Sequence, residues 1–338
     1  MSRADASQVW VTLGFFDGCE GRIVALDARD GSAREVLCHR PPPALQVEGK
    51  GFTGACRADG WLFVCGAAAV YRFDAGLTPR GALTSPDFND LHGVTVAGER
   101  VFVVNTGLDA VDVFDRDGTF MGSHAFDMAW ITARRRAGAC PSHAAHDALL
   151  RRGWSGAGAD DFTPAPLAGG YYGDGAGLPF ARRRQRDHVH PNHVDWHDGR
   201  LYVTSLARRA VIELGAWRAV ATVDAPPHDG RFVDGALWLT RVDGRVERRT
   251  DAGIERFDVA AASGLYGWCR GLWVAGDRVW VGFTAIHHPP RYHWDRVAPA
   301  ATRTGVVCFD WRRGEVVARF DLSVAGRHPK VFALVEAA

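Results

Sequence analysis

Residues 92–126 read HGVTVAGERVFVVNTGLDAVDVFDRDGTFMGSHAF and divide into four short apolar runs, at 93–96, 101–105, 110–114 and 120–126. The residues between them, Ala-Gly-Glu, Gly-Leu-Asp and Arg-Asp-Gly, are those that tight hairpins require. Four antiparallel strands joined by short turns bury neither face of their sheet alone. The unit therefore needs neighbours of its own kind.

Working outward, the unit returns along the chain. One copy runs from His193 (HVDWHDGRLYVTSLARRAVIELGAWRAVATV) and another from His228 (HDGRFVDGALWLTRVDGRVERRTDAGIERFDV). A third starts at Arg270 with RGLWVAGDRVWVGF and resumes after an interruption as TGVVCFDWRRGEVVARFDL. A more eroded copy, FTGACRADGWLFVCGAAAVYRFDAG, begins at Phe52. The amino-terminal region has only three runs, VWVTLGF, RIVALDA and AREVLC, while HPKVFALVEAA from His328 is a single strand without partners. Joining these ends completes a sixth unit. The expectation is an all-β, six-bladed β-propeller forming one domain over residues 1–338. It is closed by pairing of the carboxyl-terminal strand (331–335, innermost) with the first blade (9–13), which removes the open edge. No helical period of 3.6 competes over most of the chain.

Two insertions interrupt the repeat, at 127–187 and 284–303. Long loops in a compact β fold are usually functional, so the first is expected over one mouth of the channel. It carries arginine clusters at 134–136 and 182–184 and a short helical pattern near His143 and His146.

The first strand of a propeller blade lines the central channel. Aligning the units puts His92, His193 and His228 just before that strand in three successive blades, with His328 in the closing blade, Arg270 in the sixth, and Thr53 or Gly54 in the second. Converging neutral imidazoles suit a divalent transition metal (zinc, iron or copper) and leave a position open for water or substrate. His92, His193, His228 and His328 are thus the expected metal ligands. Expected catalytic residues are His328 as fourth ligand or general base, Arg270 as the anion-binding group, and His190 as a partner beside the ring. His287, His288 and His293, in the second insertion, fall on the same rim, whereas His197 lies in a turn. A histidine taken singly reads first as a strand cap bonded to backbone; equivalent positions in three adjacent blades and the closing one reverse that reading. The twelve tryptophans read as packing between blades.

Composition excludes several classes. Forty Lys and Arg against 39 Asp and Glu leave a net charge of +1, which offers no global field for nucleic acid or an anionic membrane. No stretch approaches the ~18 apolar residues of a spanning helix and no signal-type start is present, so a cytoplasmic protein is expected. Seven scattered cysteines without C-x-x-C spacing read as reduced thiols. There is no G-x-S-x-G elbow, P-loop or H-E-x-x-H motif.

Through NDLHGVTVAGERVFVVNTGLDAVDVFD and HPNHVDWHDGRLYVTS, the chain resembles the six-bladed propeller group that includes the NHL-repeat and SMP-30/gluconolactonase-like proteins. That resemblance implies the fold, and it admits metal-dependent lactonases, whose axial metal is held mainly by carboxylate and Asn, and a lyase whose metal is held by histidines. The acidic ligands of the lactonases are missing at the ring positions. Two readings of function follow. One is a metal-dependent enzyme, hydrolase, lyase or oxidative, acting on a small polar, anionic or peptide substrate. The other is a non-catalytic scaffold binding a protein or peptide on one face. Oligomeric state is not legible.

Overall fold

The structure, a computed structural model, describes residues 7–85, 87–127, 153–155, 188–287, 296–323 and 328–337. Six antiparallel sheets follow one another around a ring. The first blade runs from the axis outward as β25 (Pro329–Glu336), β1 (Gln8–Phe15), β2 (Gly21–Asp27) and β3 (Ser32–His39). The second comprises β4 (Gly54–Ala58), β5 (Trp61–Cys65), β6 (Val70–Phe73) and β7 (Pro79–Thr84). The third comprises β8 (Leu91–Ala97), β9 (Arg100–Asn105), β10 (Ala110–Asp115) and β11 (Phe120–Ala125). The fourth is β13 (Pro191–His197), β14 (Arg200–Ser205), β15 (Ala210–Glu213) and β16 (Arg218–Thr222). The fifth is β17 (Pro227–Val233), β18 (Ala236–Arg241), β19 (Arg245–Thr250) and β20 (Gly253–Asp258). The sixth is β21 (Trp268–Ala275), β22 (Arg278–Thr284), β23 (Gly305–Asp310) and β24 (Glu315–Asp321).

Closure is as the split unit required. β25 lies innermost and pairs antiparallel with β1, Leu334 opposite Val11 and Val331 opposite Leu13. The six innermost strands touch in the cyclic order β25, β4, β8, β13, β17, β21 and back to β25. Their approach is close: a Cβ on Gly54 would lie 2.4 Å from the His92 carbonyl oxygen, so the second blade accepts only glycine there.

The blades are held together face to face. Their second strands are buried on both sides, which is why they read as continuous apolar runs and not as alternating ones. Trp10, Phe63, Phe102, Tyr202, Trp238 and Trp280 occupy the same step of that strand in all six blades, and all are buried. Each packs with the second strand of the following blade: Trp280 with Val9 and Val11, Phe102 with Leu201 and Val203, Tyr202 with Leu237 and Leu239. Flat rings fill the wedge that two twisted sheets leave between them.

Two features were not legible in the repeat. Gly153–Ser155 forms β12, which adds to the outer edge of the second blade beside β7. The remainder of residues 128–187, with the expected channel cover, helix and arginine clusters, lies outside the described residues. One turn of helix, α1 (Val259–Ser263), joins the fifth and sixth blades, its first turn capped by the Asp258 carboxylate on the Ala261 N–H at 3.0 Å.

Candidate active site at the channel mouth

The pairing register fixes which residues are equivalent on the axis. Leu334, Ala55, Val94, Val194, Gly230 and Leu272 pair with the same step of their second strands: Val11, Val64, Val103, Val203, Leu239 and Val281. Two residues earlier stand Phe332, Thr53, His92, Asn192, His228 and Arg270. This ring faces the mouth where the innermost strands begin. In five of the six blades the ladder slips just here, between Leu91 and Gly93, Pro191 and His193, Pro227 and Gly230, Arg270 and Leu272, and at Thr12 opposite β25. Such bulges re-aim side chains and are over-represented beside active sites.

That register corrects two expectations. His193 is not the counterpart of His92 and His228; it lies one residue deeper, at the place of Gly93 and Asp229, while Asn192 takes the ring position. His328 is not in the ring either. Phe332 holds that place, and the exposed His328 rests against His287 at the rim, ring centroids 4.6 Å apart. One turn nearer solvent, four residues before the reference step, are Lys330, Asp90 and His190. Asp90 and His190 have left-handed backbone, with φ of 55° and 48°. His190 is held there by its N–H on the Asp109 carboxylate at 2.8 Å, and its ring meets that of His92 edge to face at 5.6 Å. Non-glycine residues in that conformation cost about 1–3 kcal/mol and cluster at functional sites.

The side chains brought together at the mouth are thus His92, His190, His228 and Arg270. His228 Nδ1 donates to Asp229 Oδ2 at 2.8 Å; a carboxylate only accepts, so the ring is the Nδ1–H tautomer and its Nε2 carries the lone pair. Asp229 Oδ2 is fixed in turn by the Gly271 N–H at 2.6 Å. His92 lies between two oxygens, its Nδ1 2.9 Å from Asn192 Oδ1 and its Nε2 3.5 Å from Asp90 Oδ1. A neutral imidazole donates to only one of them; turning the Asn192 amide, whose Nδ2 is otherwise without a partner, makes both contacts hydrogen bonds to a neutral ring. Asp90 is also bridged by Lys50 Nζ at 2.7 Å.

Burial governs the charge states. It holds the His92 imidazolium down to about 4, against smaller upward contributions from Asp90, and likewise lowers His193 and His228, so all three are neutral at pH 7. Asp229 stays ionised near 2: burial alone would raise it, but His228, His193 and the Gly271 N–H together outweigh that. His193 makes a backbone hydrogen bond with Gly230, and its Nδ1 is buried without a protein partner. His92, His193, His228, Asp229 and Arg231 line one cavity of about 10 Å³, room for about a single water. Nothing larger than a water fits at this depth. A larger cavity of about 440 Å³ adjoins on the same face at the seam of the sixth and first blades, lined by His287, Thr302, Arg303, Thr304 and His328 among others.

Asn192 and Asp90 were expected only as partners orienting a ligand, and Asp229, Lys50 and Lys330 did not emerge from the histidine alignment. Counting back from the turn after each innermost strand, instead of matching histidines, would have found Asp229 and put Asn192 in the ring.

No protein-family model matches the chain, and no curated protein matches it in sequence. Solved structures do match in fold. A protein of unknown function from Bacteroides caccae superposes with a TM-score of 0.58 at 10% identity, over 99% of this chain and 98% of that one. A chain of a nidogen/laminin complex gives 0.54 at 12% identity, over 96% and 97%. Virginiamycin B lyase from Staphylococcus aureus gives 0.44 at 11% identity, over 95% and 97%. Identities this low show the propeller alone; function has to be argued from the residues of the mouth.

Proposed function

We propose that the channel mouth is the active site of an enzyme acting on a small molecule by acid–base chemistry, with His228 as general base. The observation that carries this is the His228–Asp229 pair: a neutral imidazole with Nδ1–H tied to a buried carboxylate and Nε2 free to take a proton. Apolar residues at the ring would pack at lower cost than a buried carboxylate, a buried guanidinium and three desolvated imidazoles. In this reading His228 Nε2 removes a proton from substrate or water and Asp229 stabilises the imidazolium that forms. The His228 imidazolium then returns that proton to the leaving group, while neutral His92, beside Asp90, and His190 form the facing wall. Hydrolysis and elimination both begin in this way.

A divalent ion is the second reading, favoured by the gathering of the His92, His190 and His228 rings at one mouth. The donors suit zinc, iron or copper in protonation, since the imidazoles are neutral and His228 has its Nδ1 oriented by a carboxylate. His92, His190 and His228 would hold such an ion, which would polarise a substrate oxygen. Their spacing as it stands does not suit one: among the described residues no three His, Cys, Asp or Glu side chains lie close enough to share it. No proton transfer described above depends on it.

The test is turnover of a panel of lactones, esters and substrates with an acidic α-proton by tag-free protein, with metal content measured on the same samples. His228→Ala should lower kcat by about 100-fold or more, the usual scale of a lost general base, with little change in KM. Activity unaffected in both His228→Ala and His92→Ala would defeat the reading, and no turnover across the panel would favour the scaffold. One equivalent of zinc, iron or copper, lost in both variants, would establish the metal reading.

A further inference from the structure

The mouth gathers cations that the acid–base chemistry does not use. Lys330 stands at its rim in the first blade, Lys50 reaches it from the connection between the first and second blades, and Arg270 rises from the ring in the sixth. Lys330 Nζ donates to the Gly49 carbonyl and sits 3.8 Å above the centre of the Phe16 ring. The Arg270 guanidinium lies 4.8 Å over Phe332, and its Nε is buried without a hydrogen-bond partner. Neither forms an ion pair among the described residues. Lys330 is half-buried and senses both Lys50 and Arg270 as like charges; burial first, and those two charges next, bring its ammonium down to about 7.

The carboxylates that face this group are already engaged. Asp90 is bridged by Lys50 at 2.7 Å, and Asp229 is committed to His228 and the Gly271 N–H. With Lys330 protonated, three cations face two occupied carboxylates, a positive excess in a recess with low-dielectric walls, and an anion bound there would hold that proton in place. Apolar residues would cost less there unless an anion completes the set.

We propose that Lys330, Arg270 and Lys50 form an oxyanion-binding site at the channel mouth, and that the small molecule handled by the axial histidines carries a carboxylate or phosphate group. The inference rests on the acid–base reading for the histidines, though the anion site stands or falls by itself. Arg270 offers a planar fork matched to two oxygens of one group, while the lysines act as point charges. The rest of the molecule has the adjoining cavity of about 440 Å³ to occupy, a volume ordinary for small-molecule sites. Phe16 links the two, its ring touching both Lys330 and, at 4.9 Å, the His287 ring on the cavity wall.

The experiment titrates intact protein with inorganic phosphate and, separately, with succinate. Ionic strength is held constant with chloride, and both calorimetry and the melting temperature are followed. Saturable binding is expected with at least one of the two, and the tighter probe identifies the class of group. Lys330→Met and Arg270→Met should each weaken it at least tenfold, while Lys330→Arg should retain most of it. Every variant is compared with its own anion-free melting temperature, so one that is less stable still reports, and loss of either variant to misfolding leaves the other. Responses equal to chloride for both probes, or undiminished in the folded methionine variants, would overturn the site. Anion binding that survives while His228→Ala leaves turnover unchanged would retain the site and remove the histidine chemistry.

Discussion

The seams between blades and the mouth of the channel are built on the same strands and obey opposite rules. At one step of the second strand all six blades place an aromatic ring: Trp10, Phe63, Phe102, Tyr202, Trp238 and Trp280. At one step of the innermost strand they place Phe332, Thr53, His92, Asn192, His228 and Arg270, no two adjacent alike. Six equivalent wedges have one good physical solution, so the seam repeats. The axis is a single point shared by six blades, and packing alone would fill it with small apolar side chains. Where the repeat is broken by desolvated, oriented polar groups, the fold is carrying something other than its own stability.

The strongest way to break this contrast is to reopen the ring. Deleting residues 328–338 removes β25, leaves the β1 edge bare and is expected to give no soluble monomer, as measured by fractionation and size exclusion. A soluble, monomeric product would mean that closure is dispensable. Next in size is the seam: Trp280→Ala should cost about 3–5 kcal/mol in denaturant unfolding, because the fully buried indole fills the space between the sixth and first blades. A loss below 1 kcal/mol would show that the seam collapses around the gap.

A histidine on the seam gives a smaller, pH-dependent effect. His39 lies among Phe52, Tyr71 and Phe73, and burial lowers it to about 4. Its folded value is below its unfolded value, so the unfolded chain binds the extra proton between pH 6.5 and 4. Stability present above pH 6.5 is therefore lost as pH falls toward 4, by about 2 kcal/mol after allowance for partial exposure. Unfolding free energies of His39→Phe measured from pH 7.5 to 4 should be flatter by that amount. The smallest effect is expected at His197, half-exposed at the end of β13 and stacked on Phe232 at 4.5 Å. His197→Ala should change stability by less than about 1 kcal/mol and leave turnover unchanged.

Much of this was legible in the chain. The four-run unit, the three-strand start and the orphan strand from His328 are local patterns, and together they required six blades and a pairing of the ends. The concentration of histidine at the start of innermost strands also pointed to the right face. Of the residues it singled out, His92, His228, Arg270 and His190 lie together at the mouth. It misplaced His193 by one step and His328 by four, because matching imidazole to imidazole ignores where each strand begins to pair.

By itself the sequence determined the architecture, since hydrophobic period, turn chemistry and repeat length are properties of neighbouring residues. The tertiary structure alone decided the constellation at the mouth. A bulge inserts one residue into a strand, and one residue turns a side chain to the other face of the sheet, so His193 drops below the ring that Asn192 joins. Lys330 reaches the mouth only through the register of β25 against β1, strands more than 300 residues apart whose pairing the local patterns require but whose exact register they do not fix.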